Sequence, residues 1–291
     1  MRRSMLFLPG SNPGNILNAD AFGADSIIID LEDAVSFDEK DSARILTRNA
    51  LSAFDFPGTE VIVRTNSLST PWWKKDLDMI VPEKPGAIMP AKVGSAGDIR
   101  ILSDYIAGIE EKCGFEAGCV KLIPLLESSA AIENAYQIAT CDKRVVGLYL
   151  GAEDLALDMK ATRTQEGYEI SYSRMRLVVA ARAAGIDALD TPYIRDIHDN
   201  EALYNETVMI KNMGFNGKAC IYPGQVEVIN AVFMPKREDY DNAVELLKAV
   251  DKAEKQGKGV VTFRGKLVDG PVITMARNVV SEFESIYRGK M

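Results

Sequence analysis

Eight short runs of β-branched or large aliphatic residues recur along roughly the first 225 positions, separated by stretches with a helical period. No other feature constrains the fold as much. The runs are Ser4 to Leu8, Ser26 to Asp30, Glu60 to Arg64, Ala87 to Pro90, Lys121 to Leu126, Val145 to Leu150, Asp187 to Asp190 and Ala219 to Ile221. Helical spacing falls at Asn15 to Phe22, Asp38 to Ala53, Ala96 to Lys112, Ser128 to Ala139, Tyr172 to Ala184 and Asn200 to Met213. The connection after the third run, with Pro71-Trp72-Trp73 and Lys75 to Ile80, is shorter and less regular. Runs apolar on both faces belong to parallel strands covered by helices. An α/β fold, a (β/α)8 TIM barrel over residues 1–234, accounts for eight of them better than an open sheet.

Residues 235–291 read differently. Pro235 starts a charged stretch, Arg237 to Lys255, in which Ala243, Leu246, Leu247 and Val250 share one helix face. Gln256-Gly-Lys-Gly, a run from Val260 to Phe263, Arg264-Gly-Lys-Leu-Val-Asp-Gly-Pro and a helix from Pro271 to about Tyr287 follow. A helix–hairpin–helix extension of this size has little core of its own, so it is expected to pack on the barrel or on a neighbouring subunit.

Charge narrows the partners. Lys plus Arg number 34 and Asp plus Glu 42, a net charge of −8 that disfavours nucleic acid and anionic membrane surfaces. The first apolar run stops at Pro9 and Gly10, too short for a secretory signal, and no stretch approaches the roughly 20 apolar residues of a membrane span. Cys113, Cys119, Cys141 and Cys220 lack metal-site spacing and read as free thiols of a cytoplasmic protein. The single histidine, His198, falls near a helix start and reads as a surface residue. Acid–base chemistry is therefore left to carboxylates, lysines and tyrosines.

In a barrel, chemistry gathers at the carboxyl ends of the strands. Those ends read Asp30-Leu-Glu32-Asp33, Arg64-Thr-Asn66, Pro90-Ala-Lys92, Glu127-Ser-Ser, Gly151-Ala-Glu153-Asp154 and Asp190-Thr. Carboxylates converging on one mouth repel unless they are protonated or share a cation. Mg²⁺ takes one or two carboxylates and completes its shell with water and ligand oxygens, which suits Glu127 and Asp154 on adjacent strands. Arg64 has the planar fork that grips a carboxylate with two hydrogen bonds. Together they describe a site for a small anionic, metal-chelating ligand. The plainer alternative makes each an ordinary loop charge, with Asp154 and Ser128 as helix caps. Trp72 and Trp73 either cover an acyl group or, more simply, pack beneath their loop. Gly23, Gly185 and Gly214 are placed as helix C-caps, Tyr222-Pro-Gly-Gln225 as a turn, and no phosphate-binding glycine loop is present.

Arg3-Ser-Met-Leu-Phe-Leu-Pro-Gly, Asp30-Leu-Glu-Asp-Ala-Val, Val63-Arg-Thr-Asn, Gly151-Ala-Glu-Asp, Gly214-Phe-Asn-Gly-Lys and Gly265-Lys-Leu-Val-Asp-Gly-Pro-Val also carry a resemblance. Nearly end to end, the chain is similar to the HpcH/HpaI aldolase and citrate lyase family of citryl-, malyl- and citramalyl-thioester lyases. Ala180-Ala-Arg-Ala-Ala-Gly-Ile-Asp-Ala-Leu-Asp-Thr points to its citrate lyase β chains.

The resemblance implies a (β/α)8 barrel and a Mg²⁺-dependent cleavage of a carbon–carbon bond. The expected substrate is a citryl thioester on an acyl carrier protein or CoA, giving oxaloacetate and an acetyl thioester. By motif position it implies Glu127 and Asp154 as metal ligands and Arg64 as carboxylate clamp. Glu32 and Asp33 would stand behind the metal, with Gly151 and Ala152 against substrate. Asp269 would be an acid–base residue reaching a neighbouring subunit's mouth, in a homo-oligomer associated with other citrate lyase subunits. Malyl- or citramalyl-CoA as substrate, thioester hydrolysis, and a non-catalytic assembly role are the competing readings. Two positions depart from the family pattern: Pro90-Ala-Lys92 where many members read Pro-Lys, and Ile221-Tyr-Pro where many read Ile-His-Pro.

Overall fold

The computed structural model describes residues 1–255 and 261–287. Contacts divide the chain into two compact units, Met1–Phe233 and Met234–Met291.

The first unit is built on parallel strands β1 (Ser4–Pro9), β2 (Ser26–Asp30), β3 (Glu60–Thr65), β4 (Ala87–Pro90), β5 (Lys121–Leu122), β6 (Leu125–Leu126), β7 (Gly147–Leu150), β8 (Asp187–Asp190) and β9 (Gly217–Cys220). Their order is β5-β4-β3-β2-β1-β9-β8-β7-β6. The run from Lys121 to Leu126, read as one strand, is interrupted at Ile123 and Pro124, because proline has no N–H for the ladder. The two halves nevertheless act as one rung. Ile123 donates to the Ile88 carbonyl at 2.9 Å on one side, and Tyr149 donates to the Pro124 carbonyl at 3.1 Å on the other. Val146 also donates to the Leu122 carbonyl at 3.0 Å, closing the ring into eight rungs.

Alternation along each rung sorts the side chains. Met5, Ile28, Ile62, Met89, Leu125, Tyr149, Leu189 and Ala219 fill the barrel interior, none more than 2% exposed. Neighbours of opposite parity, such as Leu6, Ile27, Val63, Ile88, Leu148 and Ala188, meet the outer helices. Each large aliphatic side chain so buried contributes about 1.5–3 kcal/mol against its exposed state. Gly23, Gly185 and Gly214 end their helices at φ of 70°, 71° and 103°, the left-handed cap expected of them.

Several local expectations change. The helix read from Ser128 to Ala139 is two, Ser129–Glu133 and Ala135–Thr140, and the irregular third connection holds a helix, Trp73–Ile80. Ala152–Asp158 and Gly224–Phe233 are helical as well, the latter directly after the Tyr222 turn. Trp73 packs partly buried against the core and edge-on to Tyr105, so its role is packing. His198 is exposed, two residues before the helix Asn200–Met213.

The second unit holds a helix, Arg237–Lys255, an antiparallel hairpin of β10 (Val261–Phe263) and β11 (Lys266–Val268), and a helix, Gly270–Tyr287. Tyr240 and Phe283 stack at 4.4 Å between its helices. The glycine-punctuated stretch Gln256-Gly-Lys-Gly, with the first residue of the hairpin run, Val260, lies outside the described residues. Among the described residues no helix is long and apolar enough to cross a membrane.

Candidate active site

Moving two residues toward the carboxyl end from each interior position gives Phe7, Asp30, Arg64, Ala91, Glu127, Gly151, Thr191 and Ile221. All but Ala91 line a single cavity of about 360 Å³, with Asp33, Glu153, Asp154, Leu125 and Tyr149 completing much of its wall. Strand parity thus carries the same ring of positions from the core into the mouth.

Arg64 is fixed before any ligand arrives. Its Nε donates to Asp30 Oδ1 at 2.7 Å and its Nη2 to Asp30 Oδ2 at 2.5 Å, while Phe7 lies 5.2 Å from the guanidinium. Burial works against the Arg64 charge, but Asp30 and then Glu32 outweigh it and hold its pKa above the usual value. Asp30 in turn accepts from the backbone of Glu32 at 2.8 Å and Ala34 at 2.9 Å, so one carboxylate sets both the arginine and the following loop. The side of the fork facing Asp30 is taken. The end bearing Nη1, 3.2 Å from Glu32 Oε2, is the one placed for a ligand.

Glu127 and Asp154 face the same cavity. Glu127 is 8% exposed and accepts one hydrogen bond, from the Lys92 backbone N–H at 2.7 Å. Burial, then the negative charges of Asp154 and Glu32, push its pKa up to about 8. Asp154 sits in the first turn of Ala152–Asp158 without capping it, whereas Ser128 does cap its own helix. The capping alternative therefore holds for Ser128 and fails for Asp154.

The carboxylate oxygens of the pair are those a hard divalent cation takes. Among the described residues no group of three or more His, Cys, Asp or Glu is set to hold a metal. The pair fits an ion that fills its remaining positions with water and ligand oxygens.

Three residues act in ways the strand-end reading did not specify. Lys92 lies at a left-handed φ of 57°, and its Nζ stands 3.2 Å from Glu32 Oε1 and 3.6 Å from Asp154 Oδ2. Asp30 was legible as an acidic strand end, but its grip on Arg64 was not. Gly151 leaves room for Glu127, because a Cβ there would lie 2.7 Å from Glu127 Cβ and 2.9 Å from its Oε2. Ala152, beside it, donates its N–H to Thr191 Oγ1 at 3.4 Å.

The remaining predicted residues fall as follows. Glu32 is 6% exposed; burial raises its pKa while Arg64 draws it down. Asp33 is exposed on the cavity rim. Asp190 does not join the mouth and corrects that part of the strand-end reading. Its parity turns it outward into a buried network with Arg174 at 3.0 Å and Lys218 at 2.9 Å. Asp269 is in the second unit, exposed, with Oδ1 accepting from Val272 N at 3.2 Å at the start of the helix Gly270–Tyr287.

The class defined by fold and site is a (β/α)8 barrel whose mouth sets an acidic pair, a buried Glu127 and a half-exposed Asp154, against a pre-oriented arginine. The HpcH/HpaI aldolase/citrate lyase family matches residues 3–223. Citrate lyase subunit beta of Leuconostoc mesenteroides subsp. cremoris is 40% identical over 280 residues, 96% of this chain and 92% of that protein. A (3S)-malyl-CoA thioesterase of Cereibacter sphaeroides (strain ATCC 17029) is 32% identical, covering 98% and 95%. The crystal structure of CitE from Mycobacterium tuberculosis in complex with magnesium, acetoacetate and coenzyme A superposes with a TM-score of 0.78 at 28% identity, covering 97% of each chain. The chain belongs to the HpcH/HpaI aldolase/citrate lyase family and is an enzyme of the lyase class.

Proposed function

We propose that the chain cleaves a citryl thioester, carried on an acyl carrier protein or CoA, to oxaloacetate and an acetyl thioester. It would do so with Mg²⁺ as the β subunit of citrate lyase, in the cytoplasm and as a homo-oligomer. The observation that carries this is the convergence of Glu127, Asp154 and an Asp30-oriented Arg64 on one cavity. Similarity to citrate lyase β subunits supports the substrate, and the magnesium in the CitE complex supports the metal.

Glu127 and Asp154 would hold the ion, which when bound supplies the Lewis acidity that makes the substrate's tertiary hydroxyl easier to deprotonate. Arg64 would offer its Nη1 end, which Glu32 contacts on one side, to a substrate carboxylate and so align the bond to be broken. Glu32 holds Nη1 of Arg64, and Asp33 adds negative charge at the rim. Gly151 and Ala152 present backbone to the acyl chain and admit it closely, since neither projects beyond Cβ. Breaking the bond turns the deprotonated alcohol into a ketone and leaves the bonding electrons on the thioester fragment; Asp269, as the acid–base residue, would take up the proton released from the hydroxyl and deliver it to that carbon. In this reading the second unit packs so that Asp269 reaches the mouth of a neighbouring subunit's barrel. The relation to a (3S)-malyl-CoA thioesterase favours malyl- or citramalyl-CoA as the second reading.

The test is turnover of citryl-, malyl- and citramalyl-CoA by purified protein, with Mg²⁺ and with chelator. Oxaloacetate from citryl-CoA alone, lost with chelator, supports the proposal. Another keto acid or simple hydrolysis supports the second reading, and silence with all three compounds alongside tight metal and ligand binding supports a non-catalytic assembly subunit.

A further inference from the structure

The mouth contains a second fixed cation, and Glu32 holds it in place. Glu32 Oε2 lies 3.2 Å from Arg64 Nη1 and its Oε1 lies 3.2 Å from Lys92 Nζ. Guanidinium and ammonium therefore stand on either side of one carboxylate that is itself buried. Lys92 also contacts two more of the acidic groups, through its backbone N–H to Glu127 at 2.7 Å and its Nζ to Asp154 at 3.6 Å. This is achieved at a φ of 57°, a left-handed conformation that a side-chain-bearing residue keeps only where its surroundings enforce it. The Lys92 side chain is 45% exposed, unlike Glu32, so its ammonium is open toward solvent at the rim while anchored on one side. An ammonium has three N–H donors, and a contact of 3.6 Å to Asp154 leaves capacity for a further acceptor.

Two cations suit a ligand with two carboxylates. A citryl thioester carries two free carboxylates and its keto-acid product is a dicarboxylate, whereas a malyl thioester carries one and yields a monocarboxylate. We propose that Lys92 is a specificity-determining residue that binds the second carboxylate of the ligand, selecting dicarboxylate over monocarboxylate keto acids. The proposal deepens the lyase reading and rests on it for the substrate class.

The experiment is calorimetric titration of the full-length protein in Mg²⁺ with oxaloacetate and with pyruvate, repeated for Lys92→Gln and Lys92→Arg. The wild type is expected to prefer oxaloacetate. Lys92→Gln should reduce that preference by about tenfold, and Lys92→Arg, which keeps a cation, should hold it within about threefold. A titration with Mn²⁺ alone, followed by its electron paramagnetic resonance, reads the metal site separately. An unchanged preference in Lys92→Gln overturns the proposal, including where Mn²⁺ affinity alone has moved, and so does a wild type without preference. Because binding is read rather than turnover, failure of wild-type protein to cleave citryl-CoA would refute the lyase reading and leave the role of Lys92 to be judged by the affinity ratio.

Discussion

A methyl group added at Gly151 would sit 2.7 Å from the Cβ of Glu127, so the glycine on β7's carboxyl end and the glutamate on its neighbouring rung are packed as a unit. The small residue is what lets the acidic one keep its place beside Asp154.

Gly151→Ala should displace Glu127 and cost about 1–3 kcal/mol through overpacking. Thermal unfolding will report the stability loss. Turnover should fall at least about tenfold, with weaker Mn²⁺ binding, because a 1 Å misplacement of a site group is enough for that.

Arg64→Lys keeps the charge but loses the fork that Asp30 orients, and turnover is expected to drop by about 100-fold. Asp30→Asn, which leaves Arg64 present but poorly held, should reproduce part of that loss. Steady-state rates for both variants check the pair, and a wild-type rate in Arg64→Lys would remove Arg64 from the mechanism.

The raised pKa of Glu127 has a definite sign in stability. Folded, the group keeps its proton to about pH 8; unfolded, it loses it near the ordinary 4.5. The folded state therefore binds the extra proton between those values, and without divalent ions the Glu127 contribution to stability declines as pH rises from about 4.5 to 8. A divalent cation held by Glu127 would take the place of that proton. Melting temperatures across this range should fall with EDTA and flatten with Mg²⁺.

Away from the mouth, Glu110 accepts two hydrogen bonds from Arg144, at 2.7 and 2.6 Å, and backbone N–H bonds from Gly118 and Val120. Burial alone would raise its pKa, but these donors hold it down to about 2. This stabilisation is present above about pH 4.5 and is lost as pH falls toward 2. Glu110→Gln strands a buried guanidinium and should cost about 3–5 kcal/mol in urea unfolding at neutral pH.

Asp269→Asn keeps a good capping side chain and should leave stability nearly unchanged while abolishing proton return. If the residue serves a neighbouring subunit in a dimer, co-expression with Arg64→Lys should restore about a quarter of wild-type activity to the whole preparation, because about half the dimers are mixed and each mixed dimer has one intact site of two. No recovery would place Asp269 outside a shared site.

Much of this protein is written in local pattern. The eight apolar runs mark the rungs because a buried parallel strand must be apolar on both faces, and helix ends follow from Gly23, Gly185 and Gly214 because L-residues avoid their φ. The charged strand ends, Arg64 among them, are equally legible once a barrel is inferred. What only tertiary structure decides is which neighbour each charge meets. Asp30 and Asp190 both end a strand, yet one orients Arg64 in the mouth and the other is buried behind the wall with Arg174 and Lys218. The clash that keeps Gly151 small and the reach of Lys92 to three carboxylates likewise depend on positions distant in the chain. Hydrophobic periodicity is a property of consecutive residues, while electrostatic pairing depends on distances that exist only after the ring has closed.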